Sequence, residues 1–165
     1  MRRLPIFLFW LFTILFVSDI LSFASALPEQ MATHFGSGGV ANGWMSRNGY
    51  VGFMLAFGLG VPFFVVGLHY VLARYAGNQF NIPHREYWLA SERRADTLRF
   101  MVHHSWWLGC ILLLFMMAIH RLLLAINLSS RPHLPTTPFL LLVVTFLIAL
   151  GAWIFVLRTR FRRKP

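Results

Sequence analysis

Four stretches of this chain are too apolar to face water, and each is long enough to cross a bilayer, which takes roughly 20 apolar residues. They cover about residues 4–26, 50–73, 105–126 and 138–157. The last three each contain a run of 15 or more residues without Asp, Glu, Lys or Arg. Inside hydrocarbon every backbone N–H and C=O needs an internal partner, so apolar runs of this length are expected as helices. The expected fold is all-α: a polytopic membrane protein with four transmembrane helices. Composition agrees, because only 12% of residues are charged, where a soluble domain carries about 25%. The connections are too short for a separate soluble domain, so residues 1–165 are expected to form one integral membrane domain.

A formal net charge of +10 would suit a nucleic-acid binder, but its placement points to a membrane instead. Arg2 and Arg3 precede the first span, and Arg74, Arg85, Arg93, Arg94 and Arg99 lie between the second and third. Arg158, Arg160, Arg162, Arg163 and Lys164 follow the fourth, whereas the alternate connections carry only Arg47 and Arg131. Basic residues accumulate on the cytoplasmic side of membrane proteins. Both termini and residues 74–104 are therefore expected in the cytoplasm, with residues 27–49 and 127–137 as outer loops. Met1-Arg2-Arg3, the apolar run and Ala24-Ser25-Ala26 also have the form of a secretory signal. The run is longer than such signals usually are and contains Asp19, so an uncleaved helix is expected. The lipid bilayer is then the first partner, with anionic headgroups at the basic C-terminal tail, and nucleic acid is not expected.

Within this frame, Leu27-Pro28 ends the first helix, because proline disfavours helix in the residue before it. Gly52, Ala56 and Gly60 form a small-residue stripe suited to close helix approach, and Pro62 is expected to kink the second span. Residues 78–83 read as a turn, Ser91 as the cap of a new helix and Glu92 as a favourable charge in its first turn. The third helix is expected to run over 92–126, its first ten or so residues extending into the cytoplasm. Trp106 and Trp107 then fall at an interfacial belt. Prolines 132, 135 and 138 stiffen the last outer loop.

Chemistry-bearing residues are few. Gly36-Ser37-Gly38-Gly39-Val40-Ala41 satisfies a dinucleotide-binding pattern, but such a turn needs a preceding strand and an acid about 20 residues on. The next acid is Glu86, so a tightly turned outer loop is expected, with Phe35 and Trp44 at the membrane surface. His34, His120 and His133 do not have metal-ligand spacing, and no metal is expected. His69, His103 and His104 lie near the inner boundary, where histidines can relay protons. Cys110 is alone and mid-span, suited to packing. Asn127-Leu128-Ser129 fits a glycosylation sequon but lies hard against the membrane. No nucleophile–base pair is visible, so neither enzymatic activity nor a cofactor is expected. Asp19 and Arg121 lie at similar depth in the first and third spans, and charges inside a span usually face the bundle and pair. They are expected to form an ion pair, with Ser18, Ser22 and Ser25 on the same polar face as Asp19.

The segment LPEQMATHFGSGGVANGWMSR at 27–47 resembles a bacterial membrane family termed domain of unknown function 1648. The matching positions are Leu27, Pro28, His34, Phe35, Gly39, Trp44, Ser46 and Arg47. A second stretch, Tyr87-Trp88-Leu89-Ala90-Ser91-Glu92-Arg93-Arg94, is similar to that family's YWLAPERR, with Ser91 in place of proline. The first segment also resembles the N-terminal region of immunity proteins against the sporulation-delaying toxin, which are longer. The resemblance implies a bacterial cytoplasmic (inner) membrane protein, and these two segments are the expected interaction surfaces, including Glu92, Arg93 and Arg94. An envelope interaction or signalling and immunity-type component with a membrane or envelope protein partner is the expected function. A small-molecule or ion transporter acting as an oligomer is the alternative.

Overall fold

A computed structural model describes residues 3–162, so Arg2, Arg163 and Lys164, counted among the basic clusters, lie outside the described residues. Helix α1, Leu4–Phe23, carries Pro5 in its first turn, where a missing N–H costs no helical hydrogen bond. A single tight turn over Ala24–Ala26 leads to Leu27 in extended conformation. The loop that follows is a β-hairpin: β1, Gln30–Phe35, pairs antiparallel with β2, Ala41–Ser46, in a register running from Gln30↔Ser46 to Phe35↔Ala41. Helix α2, Arg47–Tyr75, starts directly from β2, with the Ser46 hydroxyl accepting from the Gly49 amide at 3.2 Å. A short helix α3, Arg85–Trp88, precedes α4, Ser91–Asn127, and α5 covers Thr136–Arg162.

Helices α1, α2, α4 and α5 are each long and apolar enough to cross a membrane, so this is a multi-pass membrane protein. Cross-helix contacts give their directions. Pro5 and Asp19 of α1 meet Cys110 and Arg121 of α4, so these two run parallel. Tyr50 and Val66 of α2 meet His120 and Gly109 of α4, and Phe146 and Phe161 of α5 meet Phe115 and Phe100, so α2 and α5 run opposite to α4. The β-hairpin and the α4–α5 loop therefore share one end, here the hairpin end, and the first and last helices begin and finish at the other, the termini end. At that end α4 starts well beyond the first turn of α1.

The main core lies among α1, α2 and α4, where Phe9, Phe16, Ile20, Tyr50, Met54 and Leu113 are buried together. Two glycines make this packing possible. A Cβ on Gly58 would lie 2.6 Å from the Phe16 ring, and one on Gly109 would lie 2.7 Å from the Phe9 ring. The close approach thus differs from the one expected: a Cβ on Gly52 or Gly60 would meet no other element within 4 Å among the described residues, and their stripe with Ala56 faces outward. The helical period decides this, since Gly58 falls on the face shared with Tyr50, Met54, Pro62 and Val66, all buried. Pro62 is accommodated inside one continuous helix.

Two further expectations change. Ser91 is the first residue of α4 rather than its cap; Ala90 holds the cap position, and the Ser91 hydroxyl donates instead to Glu92 Oε1 at 2.9 Å. Trp106 turns inward, its ring 5.1 Å from that of Phe9 in edge-to-face contact, whereas Trp107 remains exposed. Helix periodicity separates these neighbours by about 100°, and here one faces the bundle and the other faces out.

Candidate functional site

Near the hairpin end, three helices place polar groups against one another inside the apolar bundle. Asp19 on α1 and Arg121 on α4 are brought together, with Oδ1 and Nη2 2.5 Å apart. The carboxylate side chain is only 8% exposed and the guanidinium 56%, so the pair has one buried and one open partner. The Arg121 guanidinium also lies over the Phe23 ring at 4.9 Å. Behind Asp19, fully buried His120 points Nε2 at Oδ2 from 3.9 Å, too far for a hydrogen bond. Its Nδ1 lies 2.8 Å from the Tyr50 hydroxyl on α2. With Tyr50 donating to Nδ1, Nε2 carries the proton and turns it toward the carboxylate; the reverse tautomer would set a lone pair against an anion. Asp19 Oδ2 and His120 Nε2 are thus buried and without hydrogen-bond partners, separated by a gap that a sub-ångström shift would close. A groove of about 340 Å³ lined by Ser18, Asp19, Ser22, Met117 and Arg121 opens on the outer side of the pair.

Above this cluster the β-hairpin is pinned to the bundle. Buried Asn127, the last residue of α4, pairs with the backbone of Ala32 as a neighbouring strand would: Oδ1 accepts from the Ala32 amide at 2.7 Å and Nδ2 donates to its carbonyl at 3.0 Å. The same Nδ2 donates to Leu123 O at 2.9 Å. Sequence reasoning missed this role, because only the sequon drew notice to Asn127; its place one residue past the apolar span 105–126 was the available signal. The hairpin tip is tied as well. Gly38 and Gly39 take positive φ, and a Cβ on Gly39 would lie 2.6 Å from Leu134 O. His133 Nε2 donates to Gly38 O at 2.7 Å and the Leu134 amide to Gly39 O at 2.9 Å. The glycine pattern that imitates a nucleotide loop is therefore a docked turn.

The other motif residues mostly shape this unit. Leu27 is buried in the core and Met31 seals it, while Pro28 and Phe35 are half-buried. The Arg47 amide donates to Glu29 O at 2.9 Å, closing the base of the hairpin. His34 stands opposite Gly43, where a Cβ would lie 2.8 Å from His34 Cβ. Trp44 is 53% and Val40 63% exposed. His34, His120 and His133 lie on separate elements, and among the described residues no three His, Cys, Asp or Glu side chains gather as for a metal.

The second motif lies at the termini end. Trp88 is buried against Phe161 of α5, ring centroids 5.5 Å apart, with the Arg160 guanidinium 4.4 Å over its ring. Thr97 Oγ1 donates to Trp88 O at 2.9 Å. Arg93 covers the Tyr87 ring at 4.0 Å and donates through Nε to Tyr87 O at 3.0 Å. Arg94 and Glu92 are exposed. Outside the apolar part of α4, Glu92 has its carboxyl held below the usual carboxylate range, first by its own backbone amide and then by the Ser91 hydroxyl. His69, His103 and His104 do not form a chain. His69 Nδ1 donates to Val65 O at 2.8 Å, and His104 donates to Trp153 O at 3.0 Å while Trp153 Nε1 returns a bond to His104 O at 2.9 Å. Cys110 is buried, its thiol directed at Pro5 O at 3.5 Å.

No curated protein and no solved structure matches the chain. Residues 6–59 match the model of a family described as "Domain of unknown function (DUF1648)"; this stretch takes in α1, the β-hairpin and the first half of α2, including Asp19 and Tyr50, and ends before Tyr87–Arg94.

Proposed function

We propose that the protein is a non-catalytic interaction or signalling component of the bacterial envelope, set in the inner membrane with both ends in the cytoplasm, whose β-hairpin meets a protein partner. The carrying observation is the hairpin itself. It is held at its base, middle and tip, yet presents Trp44 and Val40 outward. A rigid element offering a large aromatic side chain suits recognition, because ordering costs little and tryptophan often anchors interfaces. The orientation is supported by the placement of basic residues. An immunity-type role, expected from the resemblance noted for residues 27–47, belongs to the same proposal.

Alkaline phosphatase fusions at Ser37 and Ser130 should be active, and those at Gln79 and after Pro165 inactive; activity at Gln79 would invert the orientation. A photo-crosslinking amino acid at Val40 or Trp44 in cells should then yield one discrete protein adduct, absent from a lipid-facing control at Leu147. Adducts identical at all three sites would remove the hairpin as recognition surface.

Transport by an oligomer is the second reading, favoured by the unpartnered Asp19 Oδ2 and His120 Nε2 within the bundle. The aromatic filling between α1, α2 and α4 opposes a path through one protomer. Proton flux into proteoliposomes that is lost in Asp19→Asn would decide for transport.

A further inference from the structure

A cavity of about 740 Å³ opens at the termini end, between Ile6 of α1, Tyr70 and Arg74 of α2, the first turns of α4 and Arg160 of α5. Its two ends differ chemically. Toward the bundle the walls are Ile6, Tyr70, Val102 and Trp106; toward the outside they are Arg74, Arg99, Arg160 and Asp96. Asp96 and Arg99 lie 3.4 Å apart and offset each other, and Arg74 and Arg160 have no ion-pair partner among the described residues. Arg160 is held in place, its guanidinium stacked 4.4 Å over the Trp88 ring and 5.7 Å from that of Phe100. Stacking occupies the face of a guanidinium and leaves its N–H edge free, the edge that grips phosphate oxygens in a bidentate manner. His103, also in the wall, adds a further polar side chain.

We propose that this cavity is a binding site for one anionic phospholipid of the leaflet at the termini end. The phosphate lies between Arg74 and Arg160, and an acyl chain runs inward along Tyr70, Val102 and Trp106. Two observations favour a lipid over a soluble phosphate. The cations sit where the apolar surface of the helices ends, at headgroup depth, and most of the wall is apolar, which free phosphate would leave unused. The site is narrower than the general attraction of a basic tail to acidic membranes, because Arg158 and Arg162 of the same helix end do not line it.

The full chain, reconstituted in vesicles of phosphatidylcholine and phosphatidylglycerol and released into native mass spectrometry, should retain one phosphatidylglycerol. Arg74→Gln and Arg160→Gln should each weaken retention about fivefold, the effect of one basic residue near headgroups. Val102→Trp, which fills the wall without changing charge, should weaken it too. Arg158→Gln and Arg162→Gln should leave it unchanged, and inorganic phosphate should not displace the lipid. Equal losses from the two pairs of arginine variants would reduce the site to diffuse attraction, and displacement by inorganic phosphate would make it a soluble-anion site. Arg74 is exposed, its guanidinium 5.7 Å from the ring of exposed Tyr75, so Arg74→Gln alone tests the proposal even where Arg160→Gln disturbs Trp88; undiminished retention in Arg74→Gln would overturn it.

Discussion

The two ends of the bundle are held by different physics. At the hairpin end the fastenings are directional: an ion pair between α1 and α4, a Tyr50–His120 hydrogen bond, and an asparagine that pairs with a strand. At the termini end broad faces join the bonds that Thr97 and Arg93 donate to backbone carbonyls: Trp88 on Phe161, Arg160 over Trp88, Arg93 over Tyr87. Directional bonds in a low-dielectric setting tolerate little displacement and penalise a missing partner heavily. Stacked faces degrade gradually. One end is thus built to hold a geometry, and the other to stay packed where headgroups, water and cations mix.

The comparison breaks most readily at Arg121. Arg121→Gln strands a carboxylate that is 8% exposed, and an uncompensated buried charge costs about 3–5 kcal/mol. Asp19→Asn should cost less, about 1–2 kcal/mol, since a half-exposed arginine can reach headgroups. Thermal unfolding in detergent should show this asymmetry, and the double variant should recover part of the Arg121→Gln loss; equal single effects would mean that the two charges are equally buried in the membrane.

Next in size are the core glycines. Gly58→Ala and Gly109→Ala should each cost about 1–3 kcal/mol through overpacking against Phe16 and Phe9, while Gly52→Ala and Gly60→Ala should be neutral or slightly stabilising. Loss of stability at Gly60 in detergent-purified monomer would show that the outward stripe packs as well. Asn127→Leu removes both bonds to Ala32 and should cost about 1–3 kcal/mol, localised to the hairpin end: hydrogen exchange should quicken in β1 and not in α2. At the other end Arg160→Ala should cost only about 0.5–1 kcal/mol, the range of an exposed cation–π contact, read as faster exchange around Trp88. A larger loss there than at Asn127 would overturn the contrast.

Much of this fold was legible because the bilayer permits few answers. Apolar runs of the right length became the four long helices, and two charges at similar depth inside such runs, Asp19 and Arg121, meet rather than Arg121 turning only to the headgroups. What stayed hidden depends on which way a helix face turns. A glycine stripe reads the same whether it faces protein or lipid, so Gly52 and Gly60 drew notice that belonged to Gly58 and Gly109. The β-hairpin was hidden for another reason: its strands are six residues each and broken in register at His34, too short and irregular for alternation to show beside the glycines. His120 and Tyr50 became interesting only once three helices had placed them behind Asp19. Asn127 gave no periodic signal at all, since its function is to copy a strand from the end of a helix.

The tie between the hairpin tip and the α4–α5 loop makes the molecule a linkage with a lever arm. Helix α5 packs chiefly along α4, and its near end hangs from the loop that carries His133 and Leu134. A load pulling on the tip is therefore shared between the Asn127–Ala32 bonds to α4 and the two hydrogen bonds at Gly38 and Gly39, which pass their part to the head of α5. Helix α5 is 27 residues long, and a stiff rod transmits displacement along its axis with little loss. Its far end carries Phe161, wedged beside Trp88. The shortest path along the backbone from the docked tip to the Trp88–Phe161 contact thus runs through α5, outside the core among α1, α2 and α4.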